Sequence, residues 1–203
     1  MRVIQKRYDG RIPREVIMYL YLHVENICNN SQSFPGIWAH IVAVVRYARA
    51  LAKKFNADED VCEISALFHD YAGILNYEYY NQHHIHSAEI ASSILKRFNF
   101  PESKIINIQH CIISHRGSRN IERKTIEAKI LATADALSHI ESADSLLKLA
   151  KETYEMEHAE AIRWVLGKLE RSFNKIMPEL RAAIKLRFDA VVKRLILNQI
   201  QKI

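Results

Sequence analysis

Apolar side chains recur every third or fourth residue from Ile37 to Phe55: Ile37, Ile41, Val44, Val45, Ala48, Leu51, Ala52 and Phe55. On a helix these positions share one side, so the segment must lay that side against a core. A second run, Val61, Ile64, Leu67 and Phe68, has related spacing and ends on the adjacent polar pair His69-Asp70. The chain carries only 5 Gly and 4 Pro in 203 residues, too few for the turns of an all-β fold, and its 49% hydrophobic content suffices for a buried core. The expectation is an all-α chain of long helices, a single domain over residues 1–203.

In chain order, residues 1–11 are polar and read as a loose arm. Pro13 suits the first turn of a helix reaching about Cys28, and turn residues fill NNSQSFPG, Asn29 to Gly36, before the helix 37–55. Asp58 is placed to cap the helix that ends at His69-Asp70. AGILNYEYYNQHH reads as a loop with three tyrosines and Glu78, either a pocket wall or satellite core packing. A helix begins at His83, with His83, His84 and His86 in its first turn; another follows Pro101, and a third spans Glu122 to about Ser142. Residues 143–203 read as amphipathic helix, interrupted near Pro178 and packed on the preceding bundle.

Several polar residues fall on the apolar faces. His40 lies between Ile37 and Val44, a place for a hydrogen-bonded core histidine or for a ligand. Asp135 adjoins Ile130, Leu131 and Ala134, where a carboxylate is costly unless it is hydrogen-bonded, paired or coordinated. The His69-Asp70 pair needs partners as well: each other, the helix end, or a divalent ion. His110 and His115 are five residues apart and diverge by about 140° on a regular helix, so both reach one site only if the helix ends before His115. Gly117 is positioned for such an ending. Imidazole nitrogen and carboxylate oxygen on separate helices suit a divalent ion with positions open to water and substrate.

The ordered set His40, His69-Asp70, a histidine cluster, His110/His115 and Asp135, with SAEIASSIL, CIISHR and ILATADALS around it, resembles the HD superfamily of metal-dependent phosphohydrolases over residues 36–142. The resemblance implies an HD-like helical bundle, with residues 36–142 as metal-binding core and residues 143–203 as additional C-terminal helices. It implies that His40, His69, Asp70 and Asp135 hold one divalent ion (Mn, Mg, Zn, Fe, Co or Ni), with Asp70 also touching reacting water or a second ion. For a second ion it points to His83, with His84 as close rival, and to His115; His110 completes the candidate set. The implied reaction is hydrolysis of a phosphate ester or anhydride in a nucleotide-like substrate, using Asp70 and His115; Arg116 joins them through its place beside His115. Glu78 is a further candidate for moving a proton. Two other readings stand beside it: a di-iron oxygenase, since the superfamily includes such enzymes, and a non-catalytic nucleotide- or RNA-binding module. The complete ligand set argues against the last.

Many members of the superfamily follow the HD pair with Gly and then Lys, whereas Tyr71, Ala72 and Gly73 stand here, so the phosphate needs another cation. Arg116, directly after His115, is the first choice, with Arg119 near it. Lys168, Arg171 and Lys175 form a stripe roughly 100° or more from the apolar centre of their helix, which predicts exposure. They are the second choice, and require the C-terminal helices to fold back over the site. A net charge of +6 and a pI near 9.2 favour an anionic partner, and interspersed charge favours a small phosphorylated molecule as much as nucleic acid. No apolar run approaches the roughly 18 residues of a membrane span. Cys28, Cys62 and Cys111 form no CxxC pair and follow no secretory leader, so a reducing, cytoplasmic compartment is expected. A homodimer stays open.

Overall fold

The computed structural model describes residues 12–119 and 121–200, with side chains to residue 197; the expectation for residues 1–11 lies outside the described residues. The helices are α1 (Arg14–Asn29), α2 (Ile37–Phe55), α3 (Glu59–Phe68), α4 (Tyr71–Leu75), α5 (His83–Arg97), α6 (Glu102–Ser114), α7 (Ile126–Glu141), α8 (Ala143–Glu152), α9 (His158–Asn174) and α10 (Pro178–Ile200), with a 3₁₀ segment at Tyr77–Gln82. The fold is all-α, with no β-strand among the described residues. None of the helices is long and apolar enough to cross a membrane.

Local chemistry sets the boundaries. The Asp58 carboxylate accepts from the Val61 N–H at 3.1 Å and starts α3 as expected. The Thr125 hydroxyl does the same for Ala128 at 3.2 Å, so α7 begins at Ile126 and not at Glu122. Residues 71–82 depart further from expectation, being largely helical where a loop is predicted. Tyr71, Ala72, Gly73 and Ile74 are all buried, and Asn76 caps the following 3₁₀ turn by accepting from the Glu78 N–H at 2.9 Å. A side chain at Gly73 would place its Cβ 3.3 Å from that of His83, so glycine there lets α5 approach the segment after Asp70. The C-terminal part breaks twice, before Pro178 and also over residues 153–157, where Glu155 adopts a φ of 53°.

Burial identifies the centre. In α3 every residue from Val61 to Phe68 is buried, and in α7 every residue from Ile130 to Ile140. A helix buried on all sides needs neighbours all round, and α7 packs against α2, α3, α6, α8 and α9. Ile41 and Val44 from α2, Ile64 and Phe68 from α3, Ile108 and Ile112 from α6, and Ile130 and Leu131 from α7 join one core. Helix α9 buries Ile162, Val165 and Leu169 and contacts α7, α8 and α10. Phe68 is fully buried directly before His69. Phe68→Ala should therefore destabilise the fold by roughly 3–5 kcal/mol, seen as a lower urea midpoint with an unchanged slope.

Candidate metal centre

The packing of α2, α3 and α7 brings three donors from distant sequence positions together. His40 Nε2 lies 3.3 Å from His69 Nε2 and 3.5 Å from Asp135 Oδ1, and His69 Nε2 lies 3.9 Å from the same carboxylate oxygen. Asp70 Oδ2 stands 3.7 Å from His40 Nε2 and 3.3 Å from His69 Nε2. A second group forms on the other side of Asp70: its Oδ1 is 3.0 Å from His83 Nε2 and 3.6 Å from His115 Nε2, and these two nitrogens are 3.3 Å apart. Ligands about 2.1 Å from a common tetrahedral ion stand about 3.4 Å from each other. Both groups have that spacing, and the two oxygens of Asp70 face different groups.

The hydrogen bonds behind the imidazoles fix which nitrogen faces inward. His69 Nδ1 donates to the Ala66 carbonyl at 2.8 Å, His83 Nδ1 to Tyr80 at 2.7 Å, and His115 Nδ1 to Ile112 at 2.6 Å. Each acceptor is three residues earlier in the chain. A carbonyl only accepts, so each Nδ1 carries the proton and each neutral ring turns the lone pair of Nε2 to the centre, as a metal ligand requires. His40 is held instead by Ser138 Oγ, 3.0 Å from Nδ1. These donors fit a divalent ion in chemistry and spacing.

Electrostatics follows from burial and from the two carboxylates. Burial pulls His40 down from 6.5 to about 4 and His115 to about 3. For Asp70 burial acts upward, but the imidazoles of His69 and His83 outweigh it and hold the carboxyl well below its ordinary range. His69 is also pushed down by burial, yet Asp70 and Asp135 leave it raised. The unfolded chain protonates His40 and His115 below pH 6.5, whereas the folded chain does so only near 4 and 3, so both remove stability as pH falls through that window. His69 opposes them, contributing stability below 6.5 that fades as pH rises through its raised value. Burial lowers His23, His84, His110 and His139 as well, so the lowered imidazoles outweigh His69 and the metal-free protein should show a falling Tm from pH 6.5 to 4. Added Zn²⁺ should raise Tm more at pH 7 than at pH 5, because protons compete for the same Nε2 lone pairs.

The candidate residues separate clearly. His84 and His110 belong to neither group. His84 is buried beside His83 but turned from the centre, with Nδ1 lacking a hydrogen-bond partner, and His110 Nε2 accepts from the Lys124 N–H at 3.0 Å. Helix α6 runs to Ser114 and His115 keeps helical dihedrals, so the divergence of about 140° persists and only His115 reaches the centre. Glu78 is exposed, donates its backbone N–H to the Asn76 cap, and does not line the cavity over the centre; Arg119 is likewise exposed and outside it. Tyr71 occupies the core beside Phe68, its hydroxyl 2.9 Å from His23 Nε2, and Ala72 N–H donates to Ser87 Oγ at 2.9 Å. The positions after the HD pair thus face inward structure and supply no cation.

A cavity of about 870 Å³ opens over both groups. Arg116 lines it, with Nη1 donating to the Asn81 carbonyl at 2.5 Å. Lys168, Arg171 and Lys175 line it too; Arg171 is exposed as expected, but the expected exposure is corrected for Lys168 and Lys175, which α9, lying on α7, turns inward. Lys175, with a side chain only 7% exposed, pairs with Asp135 Oδ2. Sequence reasoning missed His139, one turn beyond Asp135, whose Nε2 lies 3.3 Å from Asp135 Oδ1 and whose ring stacks on His40. Its Nδ1 is 3.0 Å from Ser172 Oγ on α9. The i,i+4 spacing of Asp135 and His139 was the available signal.

No curated protein and no solved structure matches the chain. The HD domain family matches residues 37–140, from the first residue of α2 to the penultimate residue of α7. That span is just over half of the chain and holds every residue of the two donor groups, so the protein belongs to the HD domain family.

Proposed function

We propose that this HD-domain protein is a metal-dependent hydrolase that cleaves a phosphate ester or anhydride in a nucleotide-like small molecule. The observation that carries the reading is Asp70, whose two oxygens face two separate sets of imidazole lone pairs. His40, His69, Asp70 and Asp135 would hold one ion and Asp70, His83 and His115 a second, with nitrogen and oxygen donors suited to Mn, Fe, Co, Ni or Zn and less selective toward Mg. Divalent ions supply Lewis acidity there, polarising a phosphoryl oxygen and lowering the pKa of water. On this reading residues 36–142 are the metal-binding core, and α8 and α9 from the C-terminal part wall the cavity.

The chain's own groups do the rest. Asp70 orients water for attack on phosphorus; as the P–O bond to the leaving group breaks, the water's proton passes to solvent or to the departing oxygen. Lys175 neutralises Asp135 Oδ2, leaving Oδ1 toward His40 and His69. Arg116, next to His115 and half-buried, offers a planar fork to phosphate oxygens. Chelator-treated protein, reloaded with each ion in turn, should release phosphate from members of a nucleotide panel. Arg116→Ala should raise KM by about tenfold or more with metal content unchanged. Iron-dependent oxygen uptake without phosphate release would move the chain to the oxygenase reading.

A further inference from the structure

Helix α9 lies outside the family-matched span, yet it forms one wall of the cavity through Lys168, Arg171 and Lys175. The three are not equivalent. Lys175 is engaged, paired with Asp135 and 3.5 Å from the His115 carbonyl. Lys168 and Arg171 have no carboxylate within ion-pair distance among the described residues, although Lys168 is half-buried in the cavity wall. The contact found for the Lys168 ammonium is the Trp164 ring, 5.9 Å from its centroid. A cation–π contact at that distance offsets only part of the cost of burying an ammonium.

The two unpaired cations are also held together. A Cβ at Gly167 would lie 3.2 Å from Arg171 Nη1, so the guanidinium folds back along the helix to the level of Lys168. Two adjacent cations with no acid between them repel, and each lowers the comfort of the other; an anion entering between them removes that conflict. The backbone is fitted to keep them there. A Cβ at Gly117 would lie 3.1 Å from the Arg171 carbonyl and 3.5 Å from Lys175 Cδ, so glycine admits α9 against the turn that follows His115.

Pairing distinguishes these two from Lys175: Asp135 and Asp70 act on Lys168 through space, but neither pairs with it. Side chains on a helix lean toward its N-terminus, and Lys168 lies over Trp164, four residues earlier. Lys175, seven residues later and about 10 Å along the axis, is the member of the stripe that pairs with Asp135. A phosphoryl group between Asp70 and Arg116 leaves Lys168 and Arg171, both lining the cavity, without an ion-pair contact among the described residues.

We propose that Lys168 and Arg171 form a second anion subsite, which holds a phosphate of the substrate other than the one hydrolysed, so that the preferred substrate carries at least two phosphates. The proposal rests on the phosphohydrolase reading for its meaning but not for its test. The probes are methylphosphonate and methylenediphosphonate, neither hydrolysable, titrated calorimetrically into Mn²⁺-saturated protein with bound metal measured in the same samples. The diphosphonate should bind at least about tenfold more tightly, metal being retained, in line with one added charge-assisted contact. Lys168→Met, which replaces a half-buried charge by an apolar side chain of similar length, should remove that advantage while methylphosphonate affinity stays within about twofold. Arg171→Met should reduce it, and Lys168→Arg should keep most of it.

Equal affinities in the wild type, equal loss for both probes in Lys168→Met, or diphosphonate binding only with loss of metal would each overturn the subsite. The two readings fail separately. Absence of phosphate release from every nucleotide would remove the hydrolase and leave a probe difference standing, whereas release without any probe difference would remove only the subsite.

Discussion

Asp70→Ala should empty both metal positions and lower kcat for phosphate release by about a thousandfold or more. The reason is its place in the geometry. Loss of His40 or Asp135 alters one donor group, and loss of His83 the other, but Asp70 contributes an oxygen to each. Far-ultraviolet circular dichroism should show the helices intact, because the Asp70 side chain is 28% exposed and belongs to no apolar cluster. Metal content and kcat measured on the same preparation decide the matter: full metal with full activity would remove Asp70 from the centre.

The second large effect is expected at His115. His115→Ala should reduce bound metal from two ions to one and cut turnover by about a hundredfold, with the ion held by His40, His69 and Asp135 remaining. His110→Ala is the matched control, five residues earlier on the same helix and tied to the Lys124 N–H. It should leave the metal count unchanged. Equal losses from both variants would mean that the effect is structural, transmitted through α6, and would leave the second donor group without a role.

Much of this arrangement could be read from local pattern. The span of α2 follows from its apolar stripe, and the Asp58 cap from residue type, because both depend on interactions within a few residues. His40, His69, Asp70 and Asp135 were legible as polar residues on faces that had to be buried. The segment 71–82 was not, since its tyrosines and polar residues read as a connection until burial of Tyr71 to Ile74 against α1 and α5 makes it helical. The α9 stripe misled for a related reason. Angles measured around one helix tell which residues share a side, but Lys168 and Lys175 are inward because α9 docks beside Asp135. His139 was overlooked although its spacing from Asp135 was visible, because its partners come from α2 and α9.

The carbonyl bonds behind His69, His83 and His115 have a bearing on how such a centre tolerates change. Each ring is anchored to the residue three places before it, so its direction is set within a single helical turn. Substitutions elsewhere can vary the cavity wall without rotating these rings, and a graft of the turn into another helical scaffold carries the ring's orientation with it. His40 lacks that independence: its anchor, Ser138, comes from α7. Among these four imidazoles it is the one whose aim depends on how two distant parts of the chain meet, and therefore the one through which slippage between α2 and α7 would first be felt at the centre.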